Sequence, residues 1–251
     1  MARIVCIANQ KGGVGKTTTA INLAVGLARA GERTLLIDLD PQCNATTGIG
    51  LAPAATHPLL LQDQLHEHVL PTRWKNLSML PGSRSFVDVD RIEKRRGEEG
   101  RNSTILRQNL EQGMASYDYV LIDCPPSLGQ LTRAALAAST EVLMPIQCEY
   151  YAMEGLTQMI HAIREAMQRG GGRLTFGGIL LTMYDPHLEL TREVDHEVRE
   201  FFGDIVFDTV IPRDVTVSEA PSHGLSVMDY APRSRGSRAY IELCMEVLER
   251  V

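Results

Sequence analysis

The sequence predicts an α/β fold, in which a mostly parallel sheet carries helices on both faces. Three observations predict it. Short apolar, β-branched runs alternate with helical patterns along the 251 residues. The first run leads through a glycine-rich stretch directly into a helix. Two further runs end on Asp38 and Asp123, at strand carboxyl ends, where open parallel sheets hold their ligands.

The elements follow in order. Arg3 to Ala8 reads as the first strand, and Gly15 to Ala30 as a helix that Gly31 stops. Thr34 to Leu39 is a second buried strand, closed by Pro41. Residues 50–74 are weakly patterned and interrupted by Pro53, Pro58 and Pro71, which predicts variable helix and loop. Leu77 to Leu80, Tyr119 to Ile122, Val142 to Ile146 and Ile179 to Met183 are further strands. Between the last two, Met153, Leu156, Met159, Ile160, Ile163 and Met167 recur at three- and four-residue spacing, the core face of an amphipathic helix. Leu190, Val194, Val198 and Phe201 repeat the pattern, and Ala239 to Val251 is a last short helix. The charge-dense run from Arg91 to Arg101 reads as a solvated loop or helix end. With no internal repeat and no low-complexity linker, residues 1–251 are expected to form a single domain.

Composition narrows the function classes. Hydrophobic residues at 44% and charged residues at 22% are ordinary globular values. The five cysteines form no Cys-x-x-Cys pair, which argues against a zinc finger or a disulfide framework and fits a reducing cytosol. No basic-then-apolar leader opens the chain, and no apolar run nears the ~20 residues of a membrane span. A cytoplasmic protein is therefore expected. The net charge of −6 offers nucleic acid no general attraction, so any such binding needs a local basic patch.

The strongest chemical signal is Lys11-Gly12-Gly13-Val14-Gly15-Lys16-Thr17-Thr18, between a strand and a helix. Glycines let backbone N–H groups turn toward an anion, and the helix that follows points its positive end at the phosphates. Lys16 is placed to reach the β- and γ-phosphates, and the Thr17 hydroxyl to bind Mg²⁺. The general P-loop pattern wants glycine where this chain has Gln10, and this chain adds Lys11. Asp38 and Asp40 point the same way if the second strand continues, so both could face a nucleotide. Tyr119-Val120-Leu121-Ile122-Asp123 has the form of a Walker B strand, whose terminal carboxylate can hold a Mg²⁺-bound water. A guanine reader would carry Thr-Lys-x-Asp or Asn-Lys-x-Asp. Thr182-Met183-Tyr184-Asp185 lacks the lysine, which favours ATP over GTP.

The loop with its extra lysine resembles the deviant Walker A motif of the ParA, MinD and nitrogenase-iron-protein group. Asp38 to Thr46 is similar to the ParA switch I segment, and Cys124-Pro125-Pro126-Ser127 to its switch II. Pro145 to Leu156, Val210 to Asp214, Ser218 to Gly224 and Tyr230 to Gly236 resemble further ParA blocks. The likeness covers most of the chain outside residues 50–101, and it is greatest for the short chromosomal type, Soj.

The resemblance implies an ATP- and Mg²⁺-dependent ATPase. Lys11 would cross a homodimer to the partner's nucleotide, and Asp40 would position the attacking water. Thr17, Asp38 and Asp123 would form the metal shell, and Pro212, Arg213 and Asp214 would lie against the adenine. It also implies chromosome or plasmid partitioning with a ParB-like partner, and non-specific binding of double-stranded DNA in a nucleoid-associated protein. The candidate DNA contacts are Arg192, Arg199, Arg213, Arg233, Arg235 and Arg238. Close relatives carry arginines where this chain has His187 and Thr216, so two of the family's phosphate contacts are replaced here.

Three other readings share the loop. A ParA-like ATPase positioning another cargo is compatible with the same residues. A MinD-like membrane regulator would want a basic amphipathic tail, and this chain ends Glu246-Val247-Leu248-Glu249-Arg250-Val251. A nitrogenase-type iron protein would need cluster motifs around Cys124 and Cys148, and those surroundings match ParA instead.

Overall fold

The computed structural model describes residues 2–61, 64–88, 101–113, 116–149, 152–169 and 173–250. Most of the charged run from Arg91 to Arg101, and the Tyr150-Tyr151 pair, lie outside the described residues.

Eight strands form one sheet: β1 (Arg3–Ile7), β2 (Thr34–Asp38), β3 (Leu70–Pro71), β4 (Leu77–Leu80), β5 (Tyr119–Asp123), β6 (Glu141–Gln147), β7 (Thr175–Tyr184) and β8 (Val206–Pro212). Their order is β3-β4-β2-β5-β1-β6-β7-β8. Every pairing is parallel except that of β3, a two-residue edge strand antiparallel to β4. A chain that runs parallel must return over the sheet's faces, and helices make those returns. They are α1 (Lys16–Ala30), α2 (Asn44–Gly48), α3 (Pro58–Leu61), α4 (Arg101–Gly113), α5 (Gln130–Ala138), α6 (Ala152–Arg169), α7 (Glu189–Phe202), α8 (Val215–Glu219), α9 (Val227–Tyr230) and α10 (Arg235–Glu249).

Alternation along the strands divides the interior into two cores. Ile4 and Cys6 of β1, Leu35 and Ile37 of β2, and Val120 and Ile122 of β5 face one way. They pack with Leu106 of α4, Ala134 of α5, Met159 of α6 and Val194 of α7. Val5, Ile7, Leu36 and Leu121 face the other way, onto Leu23 and Leu27 of α1 and Tyr240 and Leu243 of α10. Both faces of the central strands are thus covered, which is why they read as continuous apolar runs.

The expected strands and helices are present, and the differences are local. The structure adds the α4 and α5 helices, which no sequence pattern singled out. Among the described residues of 50–74 there are α3, β3 and a 3₁₀ turn at Leu65–His68, in line with the prolines. On α7, Val194 and Val198 are buried, but Leu190 and Phe201 are 41% and 74% exposed, so the four-residue core face is too wide by two. This helix lies over the outer edge of the sheet beside β8, where only its middle finds a surface to cover. Among the described residues no helix is long and apolar enough to cross a membrane.

Candidate nucleotide-binding site

The carboxyl ends of β2, β5 and β1 lie side by side. Asp123 stands in register with Asp38 on one flank and with Ile7 on the other. The glycine-rich loop and Asp123, separated by more than a hundred residues of chain, therefore meet at one edge of the sheet, with Asp38 beside them.

The loop leaves β1 at Ile7 and enters α1 at Lys16. Gly13 and Gly15 take φ of 76° and 86°, the left-handed region that glycine enters without steric cost. No acidic residue occupies the first turn of α1, so the helix presents its N–H groups and positive end to the loop. Two side chains that no sequence motif marks support this backbone. Asn9 is buried, donates from Nδ2 to the Pro145 carbonyl at 2.8 Å, and accepts from the Lys11 N–H at 3.0 Å. The Thr182 hydroxyl lies 3.0 Å from both the Val14 and the Ile146 carbonyls. Each ties the loop to β6 or β7, a relation that exists only across strands.

Lys16 is 6% exposed, and its ammonium donates to the Lys11 carbonyl at 2.9 Å. Burial lowers its pKa, against the pull of Asp123, Cys124 and Asp40. Lys11 is half-buried and paired with Glu149 at 2.7 Å, whose other oxygen accepts from Gln147. Gly12 and Gly13 are exposed at the loop's lip, while Thr17 and Thr18 are half-buried behind Lys16.

The aspartates differ sharply. Asp123 is fully buried, and neither of its carboxylate oxygens has a hydrogen-bond partner. Burial raises its pKa well above the usual range and the charge of Asp38 raises it further, while the nearby Thr17 side chain and Lys16 oppose them. Asp38 has its oxygens occupied. Oδ2 accepts from the Thr46 hydroxyl at 2.6 Å and the Thr46 N–H at 2.9 Å, and Oδ1 from the Asp40 N–H at 3.1 Å. Burial lifts its pKa to about 6 even against those bonds. Three hydrogen bonds thus already fall on Asp38, in contrast to Asp123. Asp40 is 6% exposed and accepts from the Gln42 N–H at 2.9 Å.

A cavity of about 550 Å³ opens beside Thr17 and Thr18, walled by Asn44, Thr47, Pro221 and Ser222 among others. Pro212, the first of the residues expected against adenine, ends β8, and Arg213 and Asp214 follow it. Asp214 caps α8, accepting from the Thr216 N–H and hydroxyl, and also accepts from the Gly236 N–H at 2.9 Å. Burial would raise its carboxyl, but these bonds hold it below its ordinary value.

The arginines divide. The Asp214–Gly236 bond brings Arg213 beside the start of α10, and the Arg213 N–H donates to the Tyr184 carbonyl at the end of β7. Arg192, Arg213, Arg233, Arg235 and Arg238 are exposed. Among the described residues none of the five is within ion-pair distance of a carboxylate. Arg199 does not join them. It is paired with Asp195 at 2.6 Å, lies 3.8 Å from Asp208, and sits at the far end of α7.

A family model described as an AAA domain matches residues 2–175. The sporulation initiation inhibitor protein Soj of Bacillus subtilis is 44% identical over 98% of this chain and 98% of its own. The chromosome-partitioning ATPase Soj of Treponema pallidum is 43% identical over 100% and 98%. The chain belongs to the ParA/Soj family. Among solved structures, cobyrinic acid a,c-diamide synthase from Mycobacterium smegmatis, with bound ADP and magnesium, superposes with a TM-score of 0.84 at 31% identity, covering 99% of this chain and 95% of that one. The cell-division ATPase MinD of Pyrococcus furiosus gives 0.81 at 25% identity, with full coverage of both. As a ParA/Soj ATPase, the chain carries a donor set that suits Mg²⁺ and a nucleotide. Mg²⁺ is held through few carboxylates, waters and phosphate oxygens, and the bare, buried oxygens of Asp123 beside Thr17 and Lys16 are where such a shell would satisfy them.

Proposed function

We propose that this ParA/Soj protein is an ATP-dependent dimerising switch that binds DNA without sequence preference and hydrolyses ATP slowly. In this reading it drives chromosome or plasmid partitioning with a ParB-like partner. The observation that supports the nucleotide half is Asp123, a buried carboxylate with no partner, placed at the mouth of a glycine loop that already points Lys16 inward. A buried unpaired carboxylate is costly unless a ligand completes it.

The residues divide the work. Backbone N–H groups from Gly12 to Thr18 cradle the phosphates, and Lys16 exchanges its bond to the Lys11 carbonyl for phosphate oxygens. Mg²⁺, held through Thr17 and Asp123, supplies neutralising charge when bound. Asp40 orients the attacking water. Lys11 leaves Glu149 and reaches the nucleotide of a second protomer, so that dimer closure reports that ATP is bound.

Dimerisation then doubles the exposed arginine patch of Arg192, Arg213, Arg233, Arg235 and Arg238, which makes DNA affinity depend on ATP. Fluorescence anisotropy with duplex DNA, ATP, Mg²⁺ and the hydrolysis-blocked Asp40→Ala protein tests it. Binding should weaken as salt rises and disappear when Arg233, Arg235 and Arg238 become alanine. Each phosphate contact removed should flatten the log–log salt slope by about 0.9. No binding at low salt would overturn the DNA half.

A further inference from the structure

Asp40 is held by its Oδ1, which accepts from the Gln42 N–H at 2.9 Å, and by two bonds of its own backbone. Its N–H donates to Asp38 Oδ1 at 3.1 Å, and its carbonyl accepts from the Cys43 N–H at 2.8 Å. The bond from its N–H ties the Asp40 backbone to the way the Asp38 carboxylate is turned, and Asp38 is held from the other side. The Thr46 hydroxyl donates to Asp38 Oδ2 at 2.6 Å, and the same hydroxyl oxygen accepts from the Gly82 N–H at 2.8 Å. Because the Gly82 N–H can only donate to the hydroxyl, the hydroxyl proton goes to the accepting oxygen of Asp38. Asp38 and Thr46 are both fully buried. Gly82 closes the arrangement by contact. A Cβ there would meet Asp38 Cγ at 2.8 Å and Oδ2 at 2.9 Å, so only glycine lets this backbone lie against the carboxylate.

We propose that Thr46 is a positioning residue for hydrolysis: its hydroxyl, aimed by the Gly82 N–H, fixes the Asp38 carboxylate that holds Asp40 in place. This rests on the reading of Asp40 as the residue that orients water. In this role Thr46 acts through Asp38, to which its hydroxyl and its N–H both donate. The relay begins outside the recognised motifs, because Gly82 follows β4 and its carbonyl accepts from the Ala54 N–H at 2.9 Å. The weakly patterned residues after Gly50 are thus linked to Asp40 through four hydrogen bonds, Ala54 to Gly82, Gly82 to Thr46, Thr46 to Asp38 and Asp40 to Asp38.

Steady-state ATP hydrolysis and ATP affinity of the full chain test the proposal with Thr46→Val, Thr46→Ser and Asp40→Ala. Valine keeps the shape and the backbone bond to Asp38 and loses only the hydroxyl. Its kcat should fall about tenfold or more with KM within about twofold, the signature of a group that acts after binding. Serine should stay within about threefold of wild type, since it keeps the donor. A wild-type kcat for Thr46→Val beside an inactive Asp40→Ala overturns the inference and leaves the role of Asp40 standing. A wild-type kcat for Asp40→Ala overturns the role of Asp40 itself. A serine variant as slow as valine, or a KM that rises with kcat unchanged, also overturns the inference. If valine fails to fold, Thr46→Ala takes the same readings. Failure of both to fold beside a folded Thr46→Ser would make the hydroxyl a folding contact and end the positioning role.

Discussion

Lys16 carries a charge where little water reaches it, and its ammonium donates to the carbonyl of Lys11. That bond is weak compensation for burial, and phosphate oxygens are better acceptors for an ammonium. Lys16→Ala should abolish ATP binding in a folded protein. Isothermal titration that finds wild-type affinity would contradict this. Lys11 is placed differently, in a partly exposed pair with Glu149. Such pairs contribute about 1 kcal/mol or less, too little to keep Lys11 from a nucleotide across a dimer. Lys11→Ala should bind ATP and remain monomeric in light scattering. Asp40→Ala should dimerise on ATP and stay closed. A Lys11→Ala protein that dimerises normally would remove the crossing role.

Between elements, the tightest joint lies where α8 meets α10. Gly236, at the start of α10, donates to Asp214, the residue that caps α8. A Cβ on Gly236 would stand 2.2 Å from Val217 Cγ2. Valine is stiff at χ1 and cannot swing aside. Gly236→Ala should therefore destabilise the protein by about 1–3 kcal/mol, seen as a lower midpoint in urea, and should disturb the exposed arginines on either side of the joint. An unchanged midpoint would mean that α10 can shift. On α7 the joint is loose, since Leu190 and Phe201 overhang the sheet edge. Helical spacing marks a face but not its width, and the width is set by how much surface lies beneath.

At the scale of the whole molecule, His57 makes stability depend on pH. It is buried, its Nδ1 accepts from the Leu59 N–H at 3.2 Å, its ring lies 4.4 Å from that of Phe86, and its Nε2 has no partner. Burial, with a smaller push from His68, brings its pKa down to about 3. The folded protein thus keeps His57 neutral where the unfolded chain takes up a proton near pH 6.5. Between those values the unfolded state holds more protons, so stability present above about pH 6.5 is lost as pH falls toward 3. At pH 5 the loss is about 2 kcal/mol. Asp38 and Asp123 act in the opposite sense, because burial raises their carboxyls. The measure is therefore a comparison of urea midpoints at pH 7.5 and 5 for wild type and His57→Asn, which can still accept from Leu59. The variant should lose less stability on acidification, and an equal loss in both would rule His57 out.

The sequence by itself determined the strand–loop–helix around Lys11 to Thr18, the aspartates at the ends of β2 and β5, and the ParA/Soj family, because these are local patterns. Glycine spacing, apolar runs and terminal carboxylates need no distant partner to be read. Tertiary structure alone decided which carboxylate is free. Asp38 and Asp123 look alike as strand ends, yet Thr46 occupies the first and nothing occupies the second. It also decided that Asn9 and Thr182 brace the loop, that Arg199 is paired while Arg213 joins α10, and that Gly82 lies against Asp38. Each of these is a hydrogen bond, ion pair or contact between strands or helices, and such distances are set by packing the whole sheet rather than by spacing along the chain.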